Sequence, residues 1–304
     1  ALAIGDATPV TADSLPAEIG GLAGAADALL LVQIASGLDR PVLHIADNQQ
    51  DADRLESEAR FFAGDALPVL HFPDWETLPY DSFSPHQDII SQRLRVLAEL
   101  PGLERGLLIV AAECLLHRLP PTDYVAARSL SLAAGDTLDR DAFTARLADA
   151  GYLRVPQVTE HGEFAVRGAI IDLFPMGSDA PLRIDLFDDE IDSLRHFDPD
   201  TQRSGNTLHR LDILPAREVP LDSDAVRAFR QRYRERFPGE AQQSQVYRDV
   251  SEGIAHGGIE YFLPLFFEGT ASLLDYLPGG TVLRHGDALD DLLGQTAADI
   301  AERF

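Results

Sequence analysis

The sequence predicts an α/β protein, with a mostly parallel sheet and a smaller α+β domain set into the middle of the chain. Three observations carry this. The first third alternates short apolar runs with segments of helical period. The chain changes character after Pro120-Pro121, where strand-like stretches dominate. Helical patterning then returns after about residue 215. Strands alternating with helices argue for a parallel sheet. At 304 residues and 45% hydrophobic, the chain can bury a real core and fill two or three domains.

Each element has its local reason. Residues 41–46, 67–72 and 107–112 are short apolar runs suited to strands covered on both faces. Asp47 is placed to cap the helix that follows, in which Ala52, Leu55, Ala59 and Phe62 recur on one face. Ser84-Pro85-His86-Gln87 has the form of a capping box with proline at the first helical position, and Ile90, Leu94 and Leu97 continue that helix. Phe143, Leu147 and Ala150 give a short helix stopped by Gly151. A strand-rich region runs from Tyr152 to about Leu214, with turn chemistry at residues 175–179. Asp222-Ser223 opens a helix lined by Val226, Phe229, Tyr233 and Phe237. Leu289, Leu292 and Leu293 begin a last amphipathic segment, which reads as helical up to Phe304. The alanine start and helical end read as a piece of something longer.

Composition narrows the function. All 25 basic residues are arginine, against 50 acidic ones, giving a net charge of -25. A surface that acidic repels nucleic acid as a whole. No apolar run approaches the roughly 18 residues that span a bilayer, and no secretory signal is visible. The single cysteine, Cys114, fits a reducing cytoplasm. It sits in an apolar run and reads as a buried, inert thiol.

Four stretches invite a functional reading. Residues 19–28 (Ile-Gly-Gly-Leu-Ala-Gly-Ala-Ala-Asp-Ala) are phosphate-loop-like, with Gly21 and Gly24 available to bring backbone N–H groups close to phosphate. Such a loop also needs a lysine on the phosphates and a hydroxyl on magnesium. Asp27 stands at the lysine position and Ala28 at the hydroxyl position, so the loop is degenerate. By itself the run reads as a helix start that allows close packing. Residues 182–190 end in Asp188-Asp189-Glu190, which mimics an NTPase metal site, but the alternation on both sides favours a hairpin turn. On that strand, period 2 sets Leu182, Ile184 and Leu186 on one face and Arg183, Asp185 and Phe187 on the other. Phe187 then either packs under a neighbouring loop or faces a partner, since aromatic and arginine side chains anchor protein interfaces. The arginines at 227, 230, 232, 234 and 236 read as a solvated helix face. No His/Cys/Asp/Glu spacing reaches a ligand set, His161 and Glu163 being too close and too few, and no metal or catalytic group is expected.

Three longer stretches are specific enough to compare with a family. They are residues 74–81 (Asp-Trp-Glu-Thr-Leu-Pro-Tyr-Asp), 160–175 (Glu-His-Gly-Glu-Phe-Ala-Val-Arg-Gly-Ala-Ile-Ile-Asp-Leu-Phe-Pro) and 258–267 (Gly-Ile-Glu-Tyr-Phe-Leu-Pro-Leu-Phe-Phe). In this order the chain resembles the N-terminal, UvrB-like region of the bacterial transcription-repair coupling factors (Mfd), over essentially its whole length. The resemblance implies a degenerate RecA-like (P-loop NTPase-like) domain in two chain segments, with the smaller domain inserted as in UvrB. The expected boundaries are 1–122 and 215–304 for the two segments and 123–214 for the insert. It implies that Gly21, Gly24, Asp27 and Ala28 form a non-binding nucleotide loop. It implies that the DNA-gripping hairpin of UvrB is missing, since residues 80–85 run straight into a helix. Arg167 lies in the strand that precedes 182–187, where Arg167-Gly168 reads as a bulge. It also implies UvrA as partner, contacted by Arg167, Arg183 and Phe187. Family members mask that surface by an intramolecular contact with a distant C-terminal part. ATP, magnesium, RNA polymerase and DNA are expected only at domains not in these residues, so no cofactor is expected here. The competing expectations are a divergent ATP-binding, DNA-processing domain and an autoinhibitory element that docks on the same protein.

Overall fold

The computed structural model describes residues 19–239 and 241–303. Residues 1–18 of the expected first segment, and the helix end at Phe304, lie outside the described residues. In chain order the elements are α1 (Ala26–Gly37), β1 (Val42–Ala46), α2 (Gln49–Ala63), β2 (Val69–Phe72), α3 (Gln87–Glu99) and β3 (Leu107–Ala111). Then come α4 (Tyr124–Arg128), β4 (Leu130–Ala133), α5 (Arg140–Asp149), β5 (Leu153–Arg154), β6 (Glu163–Arg167), β7 (Ile170–Leu173), β8 (Leu182–Phe187) and β9 (Glu190–Phe197). The chain continues through β10 (Ser204–Leu208), β11 (Arg210–Ile213), α6 (Ser223–Arg236), α7 (Gln245–Ser251), β12 (Val282–His285) and α8 (Leu289–Arg303).

Two compact units result. The first comprises the described residues up to Asp74, with Glu99–His117 and Ser272–Arg303. Its sheet has the order β12-β1-β3-β2, with every neighbouring pair parallel. The runs read as doubly covered strands are these strands. All of β3 is buried, and each fully buried leucine there contributes about 1.5–3 kcal/mol. The face of α2 is Ala52, Leu55, Ala59 and Ala63; Phe62, expected on it, is exposed. The cap is Asn48 rather than Asp47, its side chain accepting from the Asp51 N–H at 3.0 Å.

The second unit comprises residues 75–98 and 118–271. It holds a six-stranded sheet in the order β10-β9-β8-β7-β6-β5, antiparallel except for the short β5–β6 pair. A separate pair, β4 and β11, is antiparallel. A second apolar cluster gathers Val219, Phe229, Tyr233, Val250, Ile259, Leu263 and Phe266. Asp222 caps α6 as expected, accepting from the N–H groups of Asp224 and Ala225.

This division differs from the boundaries at 122 and 214. Residues 215–271, and 75–98 as well, go with the strand-rich part. The physical reason is a set of contacts far apart in sequence. Trp75 and Tyr261 meet edge to face at 5.3 Å, and the Tyr261 hydroxyl donates to the Thr77 carbonyl at 2.7 Å. Gly258, at φ +79, brings its Cα so close to the Asp81 carbonyl that an added Cβ would lie 2.0 Å away. The first and third of the family-like stretches therefore fold against each other. Ser84 takes part here too. Its hydroxyl donates to Glu260 and accepts from the Gly258 N–H, so it does not cap α3, which begins at Gln87. The buried Arg93 guanidinium donates to Glu218 at 2.6 Å and lies 4.8 Å over the Trp75 ring.

Candidate functional site

The sheet of the second unit ends in two tight turns on one side. Arg167 pairs with Ile170 across Gly168-Ala169, and Phe187 pairs with Glu190 across Asp188-Asp189. Gly168 has φ +63, the conformation a two-residue hairpin asks of its first loop position. Arg167-Gly168 thus forms a turn, not the expected bulge. Asp188-Asp189 is the hairpin turn that the alternation favoured, and Glu190 opens β9. The ladder sets both turns at the same end, because Ile170 lies opposite Asp185 and the Leu186 N–H donates to the Ala169 carbonyl at 2.9 Å.

The alternation on β8 is as read: Leu182, Ile184 and Leu186 are buried and Phe187 is 75% exposed. A loop does run beside this hairpin, but it fixes the backbone and leaves the ring uncovered. Gly135 N–H donates to the Ile191 carbonyl, Ile191 N–H to the Asp136 carbonyl and Leu138 N–H to the Asp189 carbonyl. Arg140, from the start of α5, donates to the Gly168 carbonyl at 3.3 Å. A large apolar side chain is thereby held out on rigid backbone, which lowers the ordering cost of binding.

Arg183 is different. Its side chain is 14% exposed and donates from Nε and a terminal nitrogen to the two oxygens of Asp172, at 2.7 and 3.0 Å. It also donates to the Ser204 hydroxyl at 3.2 Å, and its guanidinium lies 5.0 Å over the Phe197 ring. The Arg183 face carries an apolar cluster of its own, Val158, Ala165, Phe174 and Phe197. Asp172 is 1% exposed, and it also accepts from Arg167, which is 48% exposed. Two arginines therefore share one buried carboxylate. The hydrogen bond to Asp172, with its charge, outweighs burial and raises the Arg183 pKa. Asp172 is the residue that sequence reasoning missed. A lone acid inside the apolar stretch Ile170-Ile171-Asp172-Leu173 was the available signal.

In the first unit, Gly21 and Gly24 adopt φ +75 and +59 just ahead of α1, with open space around both. Asp27 lies in the first turn of α1 and Ala28 is fully buried. Asp27 is bound by Arg54 of α2 at 2.9 Å and accepts from the Ala28 N–H at 2.8 Å. Burial works against its charge, but these bonds and the Arg54 charge win and hold its pKa below the usual value. The arginines of α6 behave as a solvated face with local partners, such as Arg227 to Asp224 and Arg234 to the Tyr247 hydroxyl.

With this geometry in view, comparison with known proteins gives first a class. Residues 130–219, which contain the sheet and both turns, match the family described as the UvrB interaction domain. The relatives are more specific. The chain is 45% identical to the transcription-repair-coupling factor of Escherichia coli (strain K12), over 94% of this chain and 25% of the relative. It is 43% identical to that of Haemophilus influenzae over 87% of this chain and 23% of the relative, and 29% identical to that of Bacillus subtilis over 87% and 24%. The chain is thus related, along most of its length, to the N-terminal region of the transcription-repair-coupling factors. It spans about a quarter of the length of these curated relatives. Among the described residues no helix is long and apolar enough to cross a membrane.

Proposed function

We propose that the chain is a non-catalytic recruitment module of a cytoplasmic transcription-coupled repair factor, and that its inserted domain binds UvrA. One observation supports this above the others: Phe187, 75% exposed, projects from a hairpin fixed by backbone bonds, inside the matched domain. Phe187 is the anchor and Arg167 its charged neighbour at the same sheet end. Arg183 acts through Asp172, which it holds in place for Arg167. The first unit is a degenerate RecA-like domain that takes neither ATP nor magnesium, a reading supported by its parallel sheet and by the Asp27–Arg54 pair at the loop. Contacts with RNA polymerase and DNA belong to other parts of a longer protein. The same surface serves an intramolecular contact with the C-terminal part when UvrA is absent.

The test is a titration of UvrA into the 304-residue chain by calorimetry. Phe187→Ala weakens binding by about 30-fold, the loss of one central anchor of about 2 kcal/mol. Binding equal to the parent's would sink the assignment. A fluorescent ATP analogue with magnesium separates the enzymatic reading, since saturable micromolar binding would overturn the recruitment module's inert loop.

A further inference from the structure

At the carboxyl ends of β2 and β3 three metal-binding side chains converge. Asp74 follows β2 by two residues, and Cys114 and His117 lie on and just after the 3-10 turn Ala112–Leu116 that continues β3. The His117 N–H donates to the Cys114 carbonyl at 3.2 Å, closing a turn of three residues. Side chains three apart eclipse in such a turn, so Cys114 and His117 share one side. Asp74 is brought to them by the direct pairing of β2 with β3. Its backbone is fixed by an N–H bond to the Gln49 side chain at 3.0 Å, from the start of α2.

One ligand atom from each residue lies within 4.8 Å of the others. His117 Nε2 is 3.2 Å from Asp74 Oδ1, and Cys114 Sγ is 4.0 Å from the same oxygen. Bond lengths of about 2.0–2.3 Å in a tetrahedron separate nitrogen from oxygen by about 3.4 Å and sulfur from oxygen by about 3.6 Å. The nitrogen–oxygen and sulfur–oxygen separations are therefore within a few tenths of an ångström of these values, and the sulfur lies within 4.8 Å of the imidazole nitrogen. The sulfur is buried, while the Asp74 and His117 side chains keep 20% and 14% exposure, so the solvent side is open. In an open parallel sheet the carboxyl ends of the strands are also where ligands bind.

The geometry points to a binding site for a zinc-class divalent cation, with Cys114 Sγ, His117 Nε2 and Asp74 as its three protein ligands and water as the fourth. The sulfur and imidazole select a borderline-soft ion over magnesium. Binding displaces the thiol proton to solvent, so affinity rises with pH. The bound ion joins the ends of two neighbouring strands and stabilises the first unit. The alternative is a plain His117–Asp74 ion pair with a thiol beside it. This departs from the sequence expectation of no metal, and it stands apart from the UvrA assignment.

Cobalt(II) distinguishes the two in the full 304-residue chain under a non-thiol reductant. Cys114 is the only cysteine, so a sulfur-to-cobalt charge-transfer band in the near ultraviolet reports on this residue alone. The expected result is saturation at one cobalt per chain with that band, and its loss on adding zinc. Asp74→Asn and His117→Gln, checked for a parent-like circular dichroism spectrum, each weaken affinity by about tenfold or more. No thiolate band at saturating cobalt in the parent would overturn the proposal without any variant. So would a band of unchanged affinity in both variants.

Discussion

Arg183 and Phe187 sit on one strand and the same substitution has opposite meanings at each. Asp172 accepts three charge-assisted bonds, two from Arg183 and one from Arg167. Breaking a buried pair outright costs about 3–5 kcal/mol. Arg183→Ala removes two of the three bonds and leaves Arg167, so the cost works out at about 2–3 kcal/mol of folding stability. Phe187→Ala removes a side chain that is 75% exposed, and its folding cost stays within about 0.5 kcal/mol. Urea unfolding of both variants, followed by circular dichroism beside the UvrA titration, separates the effects. Phe187→Ala loses binding at full stability. Arg183→Ala loses stability first, and the conservative Arg183→Lys restores only part of it, because an ammonium cannot span both carboxylate oxygens. An unchanged unfolding midpoint in Arg183→Ala would refute the account of the shared carboxylate.

Three further outcomes are expected. Burial lowers the His44 pKa from 6.5 to about 4, with the Asp27 charge opposing. The unfolded chain then holds the extra proton between those values, so this contribution is complete above pH 6.5 and is lost as pH falls to about 4. It amounts to about 3 kcal/mol, and acid titration of His44→Leu should show a correspondingly flatter stability profile than the parent. Gly258→Ala places a Cβ 2.0 Å from the Asp81 carbonyl at φ +79 and costs more than about 2 kcal/mol, read as a lowered urea midpoint. Glu218→Gln keeps the shape around Arg93 but removes the opposite charge, and lowers unfolding stability by about 3 kcal/mol or more.

Several strands and the turn after Phe187 were legible because their signals are local, whereas the turn at Gly168-Ala169 read as a bulge. Apolar runs marked β1, β2 and β3, and alternation marked β8 with the turn after Phe187. The exposure of Phe187 was legible as one of two alternatives. What was not legible depends on pairing between distant residues. Period 2 places Arg183 on the polar face, but only the loops around Val158 and Gln202 decide that this face is covered. Asp172 and Arg183 are eleven positions apart and meet only through the β7–β8 register. The compact units divide the chain elsewhere than at 122 and 214 for the same reason, since nothing near residue 214 announces that Tyr261 packs on Trp75. Cys114 and His117 are close enough in sequence to see as a pair, but Asp74 joins them only because β2 and β3 are neighbours.

The Asp27–Arg54 bond also bears on how this loop can change over time. A lysine placed at residue 27 would meet the Arg54 guanidinium where a carboxylate now lies 2.9 Å from it. Two cations would then face each other across α1 and α2, and the residue next in line, Ala28, is too buried to offer a hydroxyl without repacking. A lysine at residue 27 is therefore tolerated only if Arg54 changes with it, and the two positions constrain each other across the helix pair.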